Sequence, residues 1–301
     1  MTNTLPSSKT ASILPVLILL WAATFWGVVW YPLRLLEQAG LAGLWTTWII
    51  FTTAAVPGIW LAWPSRRELS QQPGLLLFIA LTNGWLNTAF VLAILHGNVV
   101  RVLLLFYLSP LWSILLAWFW LRERPSATGI FALVMAMTGA MIMLWNPNLG
   151  FPWPQDTSDW LAISSGMGFS FSNVAVRRLR HLSSPLKAAV AWWGVVFISG
   201  IWLIFSQTPL PHNATLTAWG GAILLGGLGI FSATLAVVYG VAKMPIHRSA
   251  TILLFELIAG ALSSQWLTNE IVTAMEWFGG GLIMIAGYVS VRTGKNEHLV
   301  P

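Results

Sequence analysis

One carboxylate in this chain stands where carboxylates are rare. Of nine Asp and Glu residues, Glu37, Glu68, Glu123, Asp156, Asp159, Glu270, Glu276 and Glu297 fall in or beside polar stretches, whereas Glu256 interrupts a long apolar run. A carboxylate at the middle of a bilayer costs about 2.5–3.5 kcal/mol on insertion scales, so it normally faces a protein interior or a watery cavity. Such a group can take up and release a proton in each turn of a cycle, which makes Glu256 a proton-coupling candidate. It can equally hold two helices together through one hydrogen bond, and the residues leave both readings open. At helical spacing Ser249, Glu256, Gly260 and Ser263 share a face, a polar and small-residue stripe suited to lining a cavity.

Other chemistries lack their residues. The chain has no cysteine, which excludes disulfides and thiolate metal sites. Its five histidines (His96, His181, His212, His247 and His298) are scattered without metal-ligand spacing, so no metal is expected. The glycines at 220, 221, 226, 227 and 229 are not followed by Lys-Ser/Thr and sit inside an apolar run. They read as helix-packing positions rather than a phosphate loop. No catalytic constellation and no cofactor are expected.

The elements that must position Glu256 follow from composition. Hydrophobic residues make up 57% of the 301 positions and charged residues 8%, against about 25% charged in soluble domains. A bilayer needs about 20 apolar residues per helix. On that measure ten spans are expected near 13–35, 42–63, 75–95, 101–121, 127–145, 159–176, 186–206, 217–240, 248–267 and 275–292. The first run is too long for a signal-peptide core and has no small-residue cleavage site, so it reads as a retained helix. Trp45, Trp63, Trp120, Trp145, Trp153, Trp160 and Trp277 fall near span ends as an interfacial belt would; Trp26 and Trp30 lie deeper and are candidates to wall a cavity.

The net charge of +6 could suggest nucleic acid, but the basic residues sit in short clusters between apolar runs. Counted on alternate sides of the ten spans, 13 Lys and Arg fall on one side, and only Arg34 and Arg101 on the other. The positive-inside rule then places both termini in the cytoplasm. The expected layout is a tail at 1–12, a first five-helix unit at 13–145, an external linker at 146–158, a second unit at 159–292 and a tail at 293–301.

The two units repeat one another. At an offset of 147, Arg101 falls on Arg248 and Glu123 on Glu270; at 143, Arg34 falls on Arg177. Glycines space the helix that follows in each copy, at 129 and 139 and again at 279–281 and 287. Because five is odd, the second copy enters the membrane from the opposite face. Inverted repeats of this kind are a transporter architecture, with the substrate site at the midplane between the halves.

Here the chain resembles the EamA-type branch of the drug/metabolite transporter superfamily. The resemblance rests on Trp26-Gly27, on Tyr107-Leu108-Ser109-Pro110 and on Leu121-Arg122-Glu123-Arg124 in the first unit. In the second it rests on Phe255-Glu256-Leu257 and Asn269-Glu270, ahead of Gly280-Gly281-Leu282-Ile283. It covers roughly 13–292. It implies an all-α integral membrane protein of ten helices, arranged as two inverted five-helix repeats around a central cavity. Where the second repeat often has Glu-Pro, this chain has Glu256-Leu257, so no proline is there to kink the ninth helix. The helices that the family places around its cavity carry Asn83, Asn87, Tyr107, Ser170, Asn173, Ser232 and Tyr239. Each is either a substrate contact or interhelical glue worth about 0.6 kcal/mol. Asn87, Tyr107, Asn173, Ser232 and Tyr239 are expected to converge on one cavity.

The function this implies is a secondary transporter of the cell (inner) membrane, exporting a small metabolite such as an amino acid or related compound. Its expected partners are that small-molecule substrate and membrane lipid, with no nucleic acid, and the chain is expected to act as a monomer. The alternatives are a membrane-embedded enzyme, for which no cluster of His, Asp or Glu near an interface exists, and a structural subunit of a membrane complex.

Overall fold

The computed structural model describes residues 13–41, 43–97, 99–145, 154–267 and 273–293. The first tail, residues 294–301 of the second, most of the expected linker, Trp153, Asn269 and Glu270 lie outside the described residues. Among those described there are fourteen α-helices and no strand. In chain order they are α1 Leu14–Val28, α2 Trp30–Gln38, α3 Gly43–Ala62, α4 Pro73–His96, α5 Val99–Phe106, α6 Ser109–Leu116 and α7 Ala127–Leu144. The second half has α8 Thr157–Arg178, α9 Ser184–Phe205, α10 Leu216–Leu224, α11 Phe231–Lys243, α12 Ile246–Leu253, α13 Phe255–Leu267 and α14 Ala274–Thr293. Wide π-helical turns extend α6 over Ala117–Leu121 and bridge α10 to α11 over Leu225–Ile230.

Local chemistry sets the helix starts. Pro73 and Pro185 stand in the first turns of α4 and α9, where a missing N–H costs nothing. Asp156 accepts from the Asp159 N–H at 2.9 Å and Ser126 from Gly129 at 3.1 Å, satisfying donors that an opening helix turn leaves free. At the far end of α8 the fully buried Lys187 donates from Nζ to the Leu179 carbonyl at 2.9 Å, placing a cation at the negative end of the helix dipole.

Among the described residues six stretches are long and apolar enough to cross a bilayer: Leu14–Gln38, Gly43–Ser70, Pro73–Ile94, Ser184–Phe205, Leu216–Lys243 and Ile246–Leu267. Ser109–Leu121, Ala127–Ile142 and Trp277–Val289 are apolar but shorter. Six of the ten spans expected from hydropathy are thus matched at full length among the described residues, and three more fall on shorter apolar helices. The fourth expected span is interrupted at Tyr107-Leu108, and the sixth, α8, is diluted by serines and Asp159. The helix flanks carry exposed Trp60, Phe131, Phe197, Ile204 and Leu228, a surface that water would not tolerate and lipid does.

The most extensive packing joins one half to the other: α7 with α14, α4 with α8 and α9, α3 with α9, and α1 with α13. These contacts come in matched sets. The α4–α8 pairing is answered by α11 with α1, and α6–α8 by α13–α1, while α3–α9 and α7–α14 pair equivalent helices. A two-fold relation between the halves produces that pattern. The α7–α14 contact is close because a side chain at Gly139 would run into the Gly279 carbonyl and Ile283; bare backbone lets the two helices approach.

Candidate functional site

The site grows from two interrupted helices. α5 and α12 are eight residues each and stand at the offset of 147 read in the sequence, and both stop at a break. In the first half the break is Tyr107-Leu108, and Pro110 at the start of α6 explains it, since proline lacks the donor that would continue the ladder. In the second half the break falls at Leu254 although no proline is present. There the Leu257 N–H reaches back only three residues, to the Leu254 carbonyl at 3.1 Å, a tightened turn of the 3₁₀ type. The interruption thus survives the loss of the Glu-Pro pattern.

Across these breaks the buried Tyr107 hydroxyl donates to Glu256 Oε1 at 2.7 Å. Glu256, half-buried, sits in the first turn of α13. Its backbone is wedged against α1: a side chain at Gly27 would collide with the Glu256 carbonyl oxygen and approach Ala259 and Gly260. One turn beyond, Trp30 Nε1 donates to Ser263 Oγ at 3.0 Å, and that hydroxyl lies 2.9 Å from the Gly260 carbonyl. The Glu256 backbone, Gly260 and Ser263 therefore meet the end of α1 and the start of α2. Ser249, placed on the same stripe by helical spacing, precedes the break, is buried, and donates to Ile246 O at 3.0 Å. Trp26 is part-buried and meets Phe25 edge-on at 5.6 Å.

A second polar seam joins α4 to α8. Asn83 Nδ2 donates to the Ile79 carbonyl at 3.2 Å and to Ser172 Oγ, while Asn87 Nδ2 donates to Asn83 O at 2.9 Å. Trp85 Nε1 donates to Ser164 Oγ at 3.2 Å, and Ser165 Oγ to Leu86 O at 3.0 Å. Ser170 is buried: its hydroxyl lies 2.7 Å from Ser109 O and accepts from Ser113 Oγ at 3.1 Å, tying α8 to α6. Asn173 is buried on the same helix. Ser232 donates to Gly229 O in its own helix at 3.2 Å, and the Tyr239 ring lies 5.9 Å from Lys243 Nζ. Among the described residues no hydrogen bond joins any two of Asn87, Tyr107, Asn173, Ser232 and Tyr239. What the structure brings together is Tyr107 with Glu256, Trp30 with Ser263, and Asn83 with Asn87.

Sequence reasoning passed over Ser164, Ser165 and Ser172, and the rings of Phe90 and Phe169, which pack 5.0 and 5.8 Å from Phe106 beside Tyr107. The serines had a signal, because four of them in nine positions make α8 the least apolar of the long helices.

At the arginine-rich end, Arg177 Nε donates to Glu123 Oε1 at 2.9 Å and Nη1 to Ala242 O at 3.0 Å. Glu123 Oε2 lies 3.5 Å from the Ile246 N–H. One ion pair thus gathers the ends of α6, α8, α11 and α12.

The model of the EamA-like transporter family matches residues 13–145 and again 157–292. The chain belongs to that family. An uncharacterized transporter of Archaeoglobus fulgidus is 23% identical over 231 residues, 75% of this chain and 79% of the relative. A solved crystal structure superposes with TM-score 0.73 over 94% of this chain and 98% of its own, at 18% identity, a likeness of fold.

In this EamA-like transporter the interrupted helices offer a carboxylate with one oxygen held by a phenol and the other without a described donor. The amides of Asn83 and Asn87 stand on the neighbouring helix pair. Among the described residues no group of three His, Asp or Glu could hold a metal ion. The arrangement can exchange a proton and form or release hydrogen bonds as helices shift.

Proposed function

We propose that this chain is a ten-span secondary transporter with both termini cytoplasmic, exporting a small metabolite such as an amino acid or related compound, and that Glu256 carries the proton that drives it. The carrying observation is the Tyr107–Glu256 hydrogen bond, which links the two symmetry-related breaks and so couples one half to the other at the only acid in the middle of an apolar run. Rearrangement of either half must remake or release this bond, and the protonation state of Glu256 decides which. The inverted repeat supports a site between the halves. The distribution of Lys and Arg supports the orientation. The shorter helices α5–α6, α7 and α14 and the serine-rich α8 bring the crossings to ten, the serines of α8 finding partners on the helices packed against it.

The test is flux into proteoliposomes against an imposed pH gradient, on substrates found by an efflux screen, with wild type, Glu256→Gln and Glu256→Leu at matched incorporation. Gln keeps the shape and hydrogen bonding but holds no exchangeable carboxyl proton, so gradient-driven flux should stop while exchange at equal pH persists. Wild-type pH dependence in the Gln variant removes Glu256 from the coupling.

A further inference from the structure

Where α8 ends beside the turn after α6, the chain gathers positive charge that the described acids there do not balance. The acid there, Glu123, is taken by Arg177. Arg122, Arg124, Arg178 and Arg180 are all exposed, and none of the four is in an ion pair with a described residue. They form one corner. Arg178 Nη1 donates to the Trp120 carbonyl at 3.1 Å and its guanidinium lies 5.6 Å over the Trp120 ring, which fixes the turn at 121–124 against the turn at 178–180.

Two further observations indicate what this corner receives. Arg122 holds a left-handed backbone at φ 56°, a conformation that costs a side-chain-bearing residue about 1–2 kcal/mol and favours glycine. An arginine kept there against that cost suggests a use for its guanidinium. In the turn before it, Trp118 and Phe119 are 60% and 85% exposed, so the guanidinium cluster stands at the rim of a lipid-facing apolar surface. A ligand matching both parts carries a phosphate at the level of the arginines and acyl chains along the aromatic rings. We propose that this corner is a headgroup site for an anionic phospholipid of the adjoining leaflet. Guanidinium forks suit phosphate oxygens geometrically, and basic sites at helix ends attract anionic lipid. Because the corner is built from both halves beside the Arg177–Glu123 pair, the bound lipid favours the arrangement in which these ends stay together.

The test is native mass spectrometry of the purified chain in mild detergent with equimolar phosphatidylglycerol and phosphatidylcholine of identical acyl chains. Wild type should retain phosphatidylglycerol roughly fivefold or more over phosphatidylcholine, the ratio that about one basic residue's attraction gives. Arg124→Gln/Arg180→Gln removes two charges that hold no hydrogen bond or ion pair with a described residue and should bring the ratio towards one. Arg66→Gln/Arg67→Gln removes the same charge elsewhere and should leave it unchanged. If the corner double variant does not purify as a single species, the single Arg124→Gln and Arg180→Gln chains read the same ratio. Equal retention of the two lipids by wild type overturns the proposal. So does an unchanged ratio in the corner variants, an equal fall in the control pair, or displacement of the lipid by millimolar inorganic phosphate, which would mark an ion site only.

Discussion

Glu123 and Arg177, 54 positions apart and from different halves of the chain, are joined by a 2.9 Å charge-assisted hydrogen bond. The pair is neither fully buried nor free in water, with side chains 27% and 12% exposed. Glu123→Gln leaves a part-buried guanidinium short of its counter-charge and should destabilise the protein by about 1–2 kcal/mol, between the values for surface and buried pairs. Arg177→Gln should cost more, because it also releases the Ala242 carbonyl. Thermal unfolding in detergent checks both, and additive effects in a double-mutant cycle would show that the pair is not coupled.

Tyr107→Phe removes only the donor to Glu256. Hydrogen bonds between membrane helices average about 0.6 kcal/mol and reach about 1.7 kcal/mol, so the variant should fold and melt within a few degrees of wild type. If the bond couples the halves, its proteoliposome flux should nevertheless change its dependence on pH. A flux–pH curve superimposable on wild type would make the bond packing alone.

Gly27 is where α1 meets the Glu256 backbone without a side chain between them. Gly27→Val drives a side chain into a carbonyl that cannot rotate away, and the cost should exceed the 1–3 kcal/mol of ordinary overpacking. Gly281→Ala on α14 meets nothing within 4 Å and should be neutral or stabilising by up to about 1 kcal/mol. Gel-filtration yield and melting temperature separate the two; equal behaviour would contradict the close α1–α13 approach.

Reporter fusions at the C-terminus and within 146–158 should report opposite sides, cytoplasmic for the first and external for the second. The same answer from both would remove the inverted arrangement of the repeats.

Much of this was legible in the residues. Long apolar runs, the rarity of charge and the offset of 147 are local or periodic properties, and each survives in the helices found. The offset places α5 on α12 to the residue. Less legible were the breaks. Pro110 announced one, whereas the break at Leu254 has no proline and arises where α13 meets α1. Helical spacing put Ser249, Glu256, Gly260 and Ser263 on one face, but the break at Leu254 sets Ser249 on a separate helix, and what the rest meets depended on Gly27, 229 positions away from Glu256.

The sequence by itself determined a helical, membrane-embedded chain built twice over, because hydrocarbon thickness and the need to satisfy backbone hydrogen bonds act on each segment alone. It also marked Glu256 as out of place. Only the tertiary structure decided that Tyr107 is the partner of Glu256, that Ser170 binds Ser109 rather than standing free, and that Arg177 takes Glu123. Those pairings are set by how two halves interdigitate, and a short polar side chain carries no periodic signal for a partner on another helix.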